Sequence, residues 1–284
     1  MSAFLELPAG RMHYEDAGPR GAETLLCLHG NPTWSFFYRR FLEAFAGERR
    51  VVVPDHLGCG RSDKPLEWSY RLADHVANLE QLVQALDLRE ITLVLHDWGG
   101  AIGMGFARRH PELVARLVIL NTAAFPSPRL PWRIRACRTP LIGPYAVRHW
   151  NAFAGLAPRM AVERKLSPEV RAQFLAPYDT PAHRIAIQRF VEDIPMSPAH
   201  PSWGELEETG RSLALFADRP VCIVWGEKDW CFTPAFREEW MRRFPAASVQ
   251  RLENAGHWLL EYEPEQVLRF VREFLERTPL ALAR

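Results

Sequence analysis

Five short stretches of the chain are apolar, interrupted only by Thr92: residues 25–28, 51–53, 91–95, 117–120 and 221–225. Each is rich in Val, Ile and Leu and runs into a polar or small residue. Such runs, rather than alternating ones, predict strands buried on both faces, as in a parallel sheet. Between them the period changes. Leu72, Val76, Leu79, Val83 and Leu86 step by four and three, which is one face of a helix. Residues 99–110 read as a second helix, stopped by Pro111. Residues 264–277 read as a third, with Pro264 suited to a first helical turn. A further strand is expected at 248–252. Strands alternating with helices predict an α/β fold with a mostly parallel sheet.

The middle of the chain breaks this rhythm. Residues 124–218 hold 12 of the 23 prolines and no strand-like apolar run. They read as an inserted, mostly helical cap between a first core part, 1–123, and a second, 219–284.

Composition narrows the function classes. A length of 284 residues supports one large domain with an insertion. The net charge of +1 excludes a globally basic nucleic-acid binder. No apolar run approaches the ~18 residues of a membrane span, and the start lacks a basic-then-apolar signal region. The five cysteines are odd in number, scattered and without a CxxC, so free thiols are expected rather than disulfides or a zinc site. Together these features predict a cytoplasmic protein. The ten histidines show no metal-ligand spacing, and neither metal nor cofactor is expected.

The candidate chemistry lies where strands end. At 91–101 an apolar run leads into His96, Asp97 and Trp98, followed by the small residues Gly99, Gly100 and Ala101. This pattern is that of a nucleophile elbow, a sharp strand–turn–helix that projects one side chain. Here that side chain is Asp97. A helix N-terminus beside it, with the Trp98 backbone N–H, favours negative charge. The plainer reading is an aspartate N-cap. Asp229 follows the run at 221–225, and His257 follows the strand expected at 248–252. Taken singly, they read as a loop acid and a satisfied polar residue. Taken together, nucleophile, acid and histidine follow the chain order of the α/β-hydrolases. All three fall at C-terminal ends of strands, where open α/β sheets build their sites. After the first run, Gly30 permits a close backbone approach, and the backbone there offers an oxyanion donor.

The motifs HGNPTW at 29–34, PDHLGCGRSDKP at 54–65, HDWGG at 96–100, GEKD at 226–229 and NAGHW at 254–258 resemble the haloalkane dehalogenase family of α/β-hydrolases. The resemblance covers nearly the whole chain. It implies Asp97 as nucleophile, His257 as base and Asp229 as the acid orienting it. It also implies the side-chain N–H groups of Asn31 and Trp98 as the pair that holds the leaving anion. Some members place the acid where this chain has Asn121, which leaves Asp229 for that role. NTAAFP at 121–126, RFVEDIPMSP at 189–198 and NAF at 151–153 are similar to β-lactone decarboxylases of bacterial olefin biosynthesis. Those enzymes group with the third dehalogenase subfamily. The closer resemblance implies a long-chain cis-β-lactone converted to a cis-alkene and carbon dioxide. The alternative is hydrolysis of haloalkanes to alcohol and halide.

An aspartate nucleophile attacks saturated carbon and forms an alkyl ester; a histidine then activates water against that ester. Trp98 is a donor without acceptor capacity, which suits a leaving anion. Epoxide hydrolases resemble the chain too, but need two cap tyrosines facing the nucleophile, here Tyr145 and Tyr178. Fluoroacetate dehalogenases tend to carry arginine after the nucleophile, and Trp98 argues against them. The elbow has no serine for a serine esterase. A non-enzymatic binding module would leave three competent triad positions without purpose.

The turn at 58–62 lacks the Lys–Ser/Thr ending of a phosphate loop and reads as a tight turn near the site. Residues 126–162 hold six arginines and no acid. They read as a solvated surface, or as a contact for an enzyme assembly or an anionic membrane. Trp132, Trp150, Phe153 and Phe190 are candidates to line an apolar tunnel or to pack in the core. The expected partner is an apolar small-molecule substrate.

Overall fold

The apolar runs form the parallel part of one eight-stranded sheet. A computed structural model describes residues 1–21 and 23–280. The strands are β1 (Ser2–Leu7), β2 (Gly10–Ala17), β3 (Thr24–Leu28), β4 (Arg50–Pro54), β5 (Ile91–Asp97), β6 (Val114–Thr122), β7 (Val221–Gly226) and β8 (Ser248–Leu252), in the order β1-β2-β4-β3-β5-β6-β7-β8. From β4 to β8 all pairings are parallel, and β1 and β2 add an antiparallel edge.

Why the runs do not alternate is visible in the core. Leu26, Leu28, Leu93, Leu95, Leu117 and Ile119 pack into one apolar cluster. Their neighbours Leu25, Cys27, Val94, Val118 and Leu120 pack into a second, across the sheet. Both faces are therefore covered and the positions are mostly apolar; polar exceptions such as Thr92 and Arg116 are buried and hydrogen-bonded to each other. Helices α1 (Arg39–Phe45), α2 (Leu72–Ala85) and α3 (Trp98–Arg109) connect the strands up to β6. The expected helices at 72–86, 99–110 and 264–277 lie within a residue of their observed bounds.

Between β6 and β7 the chain adds no strand. It forms α4 (Trp132–Ala136), α5 (Ile142–His149), α6 (Ala157–Met160), α7 (Pro168–Leu175), α8 (Ile185–Glu192) and α9 (Trp203–Ser212). The last of these packs back on α2 and α3 at the flank of the sheet. Helix α10 (Pro234–Arg243), the short α11 (Leu259–Tyr262) and α12 (Pro264–Arg277) complete the chain. No helix among the described residues is long and apolar enough to cross a membrane. All five cysteines are free.

The sequence reading omitted β1 and β2. Positions in β1 alternate between exposed and half-buried, those in β2 are mostly half-buried, and only one of their neighbours is a buried strand. Such an edge hairpin carries no unbroken apolar run. The topology also fixes where a site forms. From β3 the chain crosses to β4 on one side and then to β5 on the other. The C-terminal ends of β3 and β5 thus flank a topological switch point, where open sheets leave a crevice.

Candidate active site

Asp97 is the last residue of β5, and Trp98 the first of α3. The turn between them is so sharp that Asp97 adopts φ 52°, a conformation L-residues rarely hold. Two features hold it there. The Thr122 hydroxyl donates to the Asp97 carbonyl, and the Asn31 backbone N–H donates to Asp97 Oδ1 at 2.7 Å. The approach of the β3 loop is close enough to require glycine. A Cβ on Gly30 would lie 1.9 Å from Asp97 Oδ1. The backbone after β3, expected as an oxyanion donor, thus uses the Asn31 N–H to hold the carboxylate itself.

His257 and Asp229 come from the loops after β8 and β7. His257 Nδ1 donates to Asp229 Oδ2 at 2.8 Å. His257 Nε2 lies 3.5 Å from Asp97 Oδ2. All three side chains are buried. Asp229 is fully engaged: Oδ1 accepts from the backbone N–H groups of Cys231 at 2.6 Å and Phe232 at 3.0 Å. Its Oδ2 accepts a second bond from Asn121 Nδ2 at 2.9 Å. A carboxylate with so many donors stays in one orientation and fixes the imidazole.

The electrostatics follow from this arrangement. Burial pushes the His257 imidazolium toward losing its proton, but the charge and hydrogen bond of Asp229, then those of Asp97, outweigh it and raise its pKa to about 10. Burial works to raise the Asp97 pKa, but the His257 hydrogen bond and charge outweigh that and hold it below the usual carboxylate range. The resting site is an ion pair in an apolar setting, with an ionised nucleophile beside a cationic histidine.

Sequence reasoning passed over two supports. His96 is buried, and its Nε2–H donates to the His257 carbonyl at 2.9 Å. Burial, then the nearby His257 charge, press its pKa down to about 3, so it serves as a neutral donor. Asn121, the first residue of the NTAAFP motif, ties Asp229 to the β6 end. Its Oδ1 also accepts from the Gly226 N–H at 2.7 Å. The HDW spelling of 96–98 was the available signal for His96; for Asn121 it was the NTAAFP motif, which does not report the contact with Asp229.

Above Asp97 opens a cavity of about 420 Å³. Asn31, Asp97, Trp98 and His257 share its lining with apolar residues such as Phe125, Ile134, Phe153 and Trp230. Its size falls in the range of small-molecule sites. Asn31 and Trp98 both line it. One Asn31 Nδ2–H donates to the Ile187 carbonyl at 3.2 Å, while the amide carries a second N–H. The Asn31 Oδ1 is buried without a partner.

Other expectations resolve as follows. Trp132 and Phe153 line the cavity; Phe190 instead packs on Trp98, ring centroids 5.1 Å apart, and Trp150 is exposed. The turn at 58–62 supplies no lining residue. It wraps the buried Asp55, which accepts from the Arg61 N–H at 2.8 Å. Neither Tyr145 nor Tyr178 lines the cavity. Tyr145 is exposed, and the Tyr178 hydroxyl donates to the Thr33 carbonyl at 3.2 Å. The acids an epoxide hydrolase requires are therefore absent from this cavity.

Residues 23–264 match the α/β hydrolase fold family. The chain is 41% identical to a cis-3-alkyl-4-alkyloxetan-2-one decarboxylase of Xanthomonas campestris, over 96% of this chain and 95% of that protein. It is 39% identical to one of the same name from Shewanella oneidensis, over 97% and 88%. A haloalkane dehalogenase of Mycobacterium marinum is 33% identical over 91% and 86%. The crystal structure of a haloalkane dehalogenase from Bradyrhizobium elkani superposes with a TM-score of 0.90 at 27% identity, covering 98% of both chains. The chain belongs to the α/β hydrolase fold family, in the group that holds the oxetanone decarboxylases and the haloalkane dehalogenases.

Proposed function

We propose that the protein is a β-lactone decarboxylase that converts a cis-3,4-dialkyl oxetan-2-one to a cis-alkene and carbon dioxide. One observation carries the reading: Asp97, 3.5 Å from His257, lies in the lining of a largely apolar cavity. The relatives named for such lactones match the chain at 41% and 39%, those named for haloalkanes at 33% and 30%.

In this reading Asp97 is the nucleophile. It attacks C4 of the lactone ring, and the C4–O bond breaks. The product is an alkyl ester on Asp97 with a free carboxylate on C3, held by the N–H groups of Asn31 and Trp98. The bond between C3 and the carboxylate then supplies the electrons of the new C3=C4 double bond. Carbon dioxide leaves, and Asp97 departs as carboxylate. The His257 cation, oriented by Asp229, favours that departure by pairing with the returning charge. Inversion at C4 followed by anti elimination keeps both alkyl groups on one side, so a cis-lactone gives a cis-alkene.

The same residues also support hydrolysis, which the dehalogenase relatives favour. An ester derived from a haloalkane has no carboxylate to lose and waits for water. Once Asp97 is esterified, His257 has lost one of its two negative neighbours; its pKa falls, and the neutral imidazole that can take a proton from that water becomes accessible. The substrate thus decides the outcome. Residues 124–218 act in this reading as the cap, with the stretch before α9 covering the site. The arginine-rich segment is where the protein meets an enzyme assembly or a membrane, in the cytoplasm.

The test is to incubate purified protein with a long-chain cis-β-lactone and follow alkene and carbon dioxide against a no-enzyme blank. Bromo- and iodoalkanes are assayed in parallel for halide. Alkene above the blank supports the proposal. Halide release without alkene assigns the chain to haloalkane hydrolysis.

A further inference from the structure

The cavity has its mouth in an unusual surface. Trp132, Arg133 and Leu156 line the cavity and are also exposed, Trp132 at 73%. Around them, Leu141 is 88% exposed and Ile142 65%, at the start of α5. This start is packed against the mouth. A Cβ on Gly143 would meet the carbonyl of Cys137, a lining residue, at 2.2 Å. Further along, Tyr145 of α5 and Trp150 just after it are more than half exposed and pack edge to face. Large apolar side chains so exposed, and so many within one segment, mark a surface that something covers.

Charge indicates what covers it. Residues 126–162 contain six arginines, no lysine and no acid. With a whole-chain charge of +1, the rest of the molecule carries a net −5. Positive charge is therefore concentrated in this segment, with Arg129 and Arg133 at the cavity itself. Of these arginines, none pairs with a carboxylate among the described ion pairs. Tryptophan, tyrosine, leucine and arginine exposed together are the composition of an interfacial membrane anchor, where rings and aliphatic chains enter the headgroup region and guanidinium groups meet lipid phosphates. Protein interfaces also gather Trp, Tyr and Arg, but here the patch surrounds the open mouth of an apolar cavity, which favours lipid.

We infer that residues 126–162 dock the protein on an anionic bilayer, with the cavity mouth facing the lipid. The substrate class of the proposed function, on which this rests, explains the use. A dialkyl lactone dissolves in the bilayer, and the alkene product has no polar group at all. A mouth held at the lipid surface lets both pass without crossing water.

The test is flotation of the full chain with vesicles of phosphatidylcholine containing one third phosphatidylglycerol, and with vesicles of phosphatidylcholine alone. Binding is expected to the anionic vesicles and to weaken steeply with salt. Arg135→Glu with Arg159→Glu, both exposed and outside the cavity lining, should weaken it roughly tenfold or more. Leu141→Ser with Ile142→Ser should do likewise, and since all four positions are exposed the fold is expected to stand. No vesicle binding by the full chain, or equal binding by all variants, overturns the inference. So does light scattering that shows the full chain self-associated and these variants monomeric, which would give the patch to a second copy. Turnover of a short, water-soluble cis-β-lactone is followed alongside. If vesicle binding is seen but no alkene forms, the reaction assignment fails while the docking surface stands; if alkene forms without vesicle binding, the reverse holds.

Discussion

Asn121 and His257 donate to the same oxygen of Asp229, Oδ2, at 2.9 and 2.8 Å. The histidine is thus oriented by an acid that is itself clamped to the ends of β6 and β7. Asn121→Ala removes that donor and also leaves the buried Gly226 N–H without its acceptor. Loss of a buried pair of this kind costs about 1–3 kcal/mol of stability. Urea unfolding should show a loss of that size, and kcat should fall more than KM rises, because the defect lies in orienting His257.

Asp97→Asn keeps the shape of the elbow, since asparagine tolerates positive φ. It cannot form an ester. Activity should drop by about a thousandfold or more, with circular dichroism unchanged. Peptide mass should be checked to exclude deamidation back to aspartate.

Gly30→Ala tests the close approach of the β3 loop. The added carbon would lie 1.9 Å from Asp97 Oδ1. Either the loop or the nucleophile must shift, and a displacement near 1 Å costs on the order of a hundredfold in rate. The prediction is a fall of that size in kcat/KM, with the thermal midpoint lowered.

Trp98→Phe keeps an aromatic ring against Phe190 and removes the indole N–H. If that group holds the developing anion, kcat should fall roughly a hundredfold to a thousandfold, with little change in KM. An unchanged kcat would remove Trp98 from the anion pair.

The pH dependence follows from the ion pair. Asp97 titrates below the usual carboxylate range and His257 at about 10, so both stay charged through neutrality. The kcat/KM for alkene formation should be flat from about pH 6 to 9. It falls in acid as Asp97 gains a proton, and above 10 as His257 loses one. Stability carries the same sign. The His257 pKa is raised in the fold above its ordinary 6.5, so its contribution is complete below 6.5 and is lost as the pH rises toward 10. The gap in melting temperature between the native protein and His257→Gln should therefore narrow over that interval.

Much of this was legible in the sequence, for a physical reason. A strand buried on both faces is mostly apolar, so β3 to β7 appear as short apolar runs, and the site residues sit soon after them. The N-terminal hairpin was not legible, because an edge strand alternates and resembles ordinary mixed sequence. Nor was the Asn121 clamp. It joins residues 108 positions apart, and no local pattern reports a contact at that separation. The tunnel aromatics divided, with Trp132 and Phe153 at the cavity and Phe190 in the core. Apolar spacing tells that a residue is covered, not whether a neighbour or a ligand covers it.

The most direct test of the central claim is turnover in heavy-oxygen water, with the products and the Asp97 peptide both analysed by mass. The account predicts cis-alkene and carbon dioxide from a cis-β-lactone, with no heavy oxygen in the Asp97 carboxylate, because carbon dioxide loss and not water expels the nucleophile. Heavy oxygen entering Asp97 together with a hydroxy acid product would contradict it, and would show that water attacks the ester.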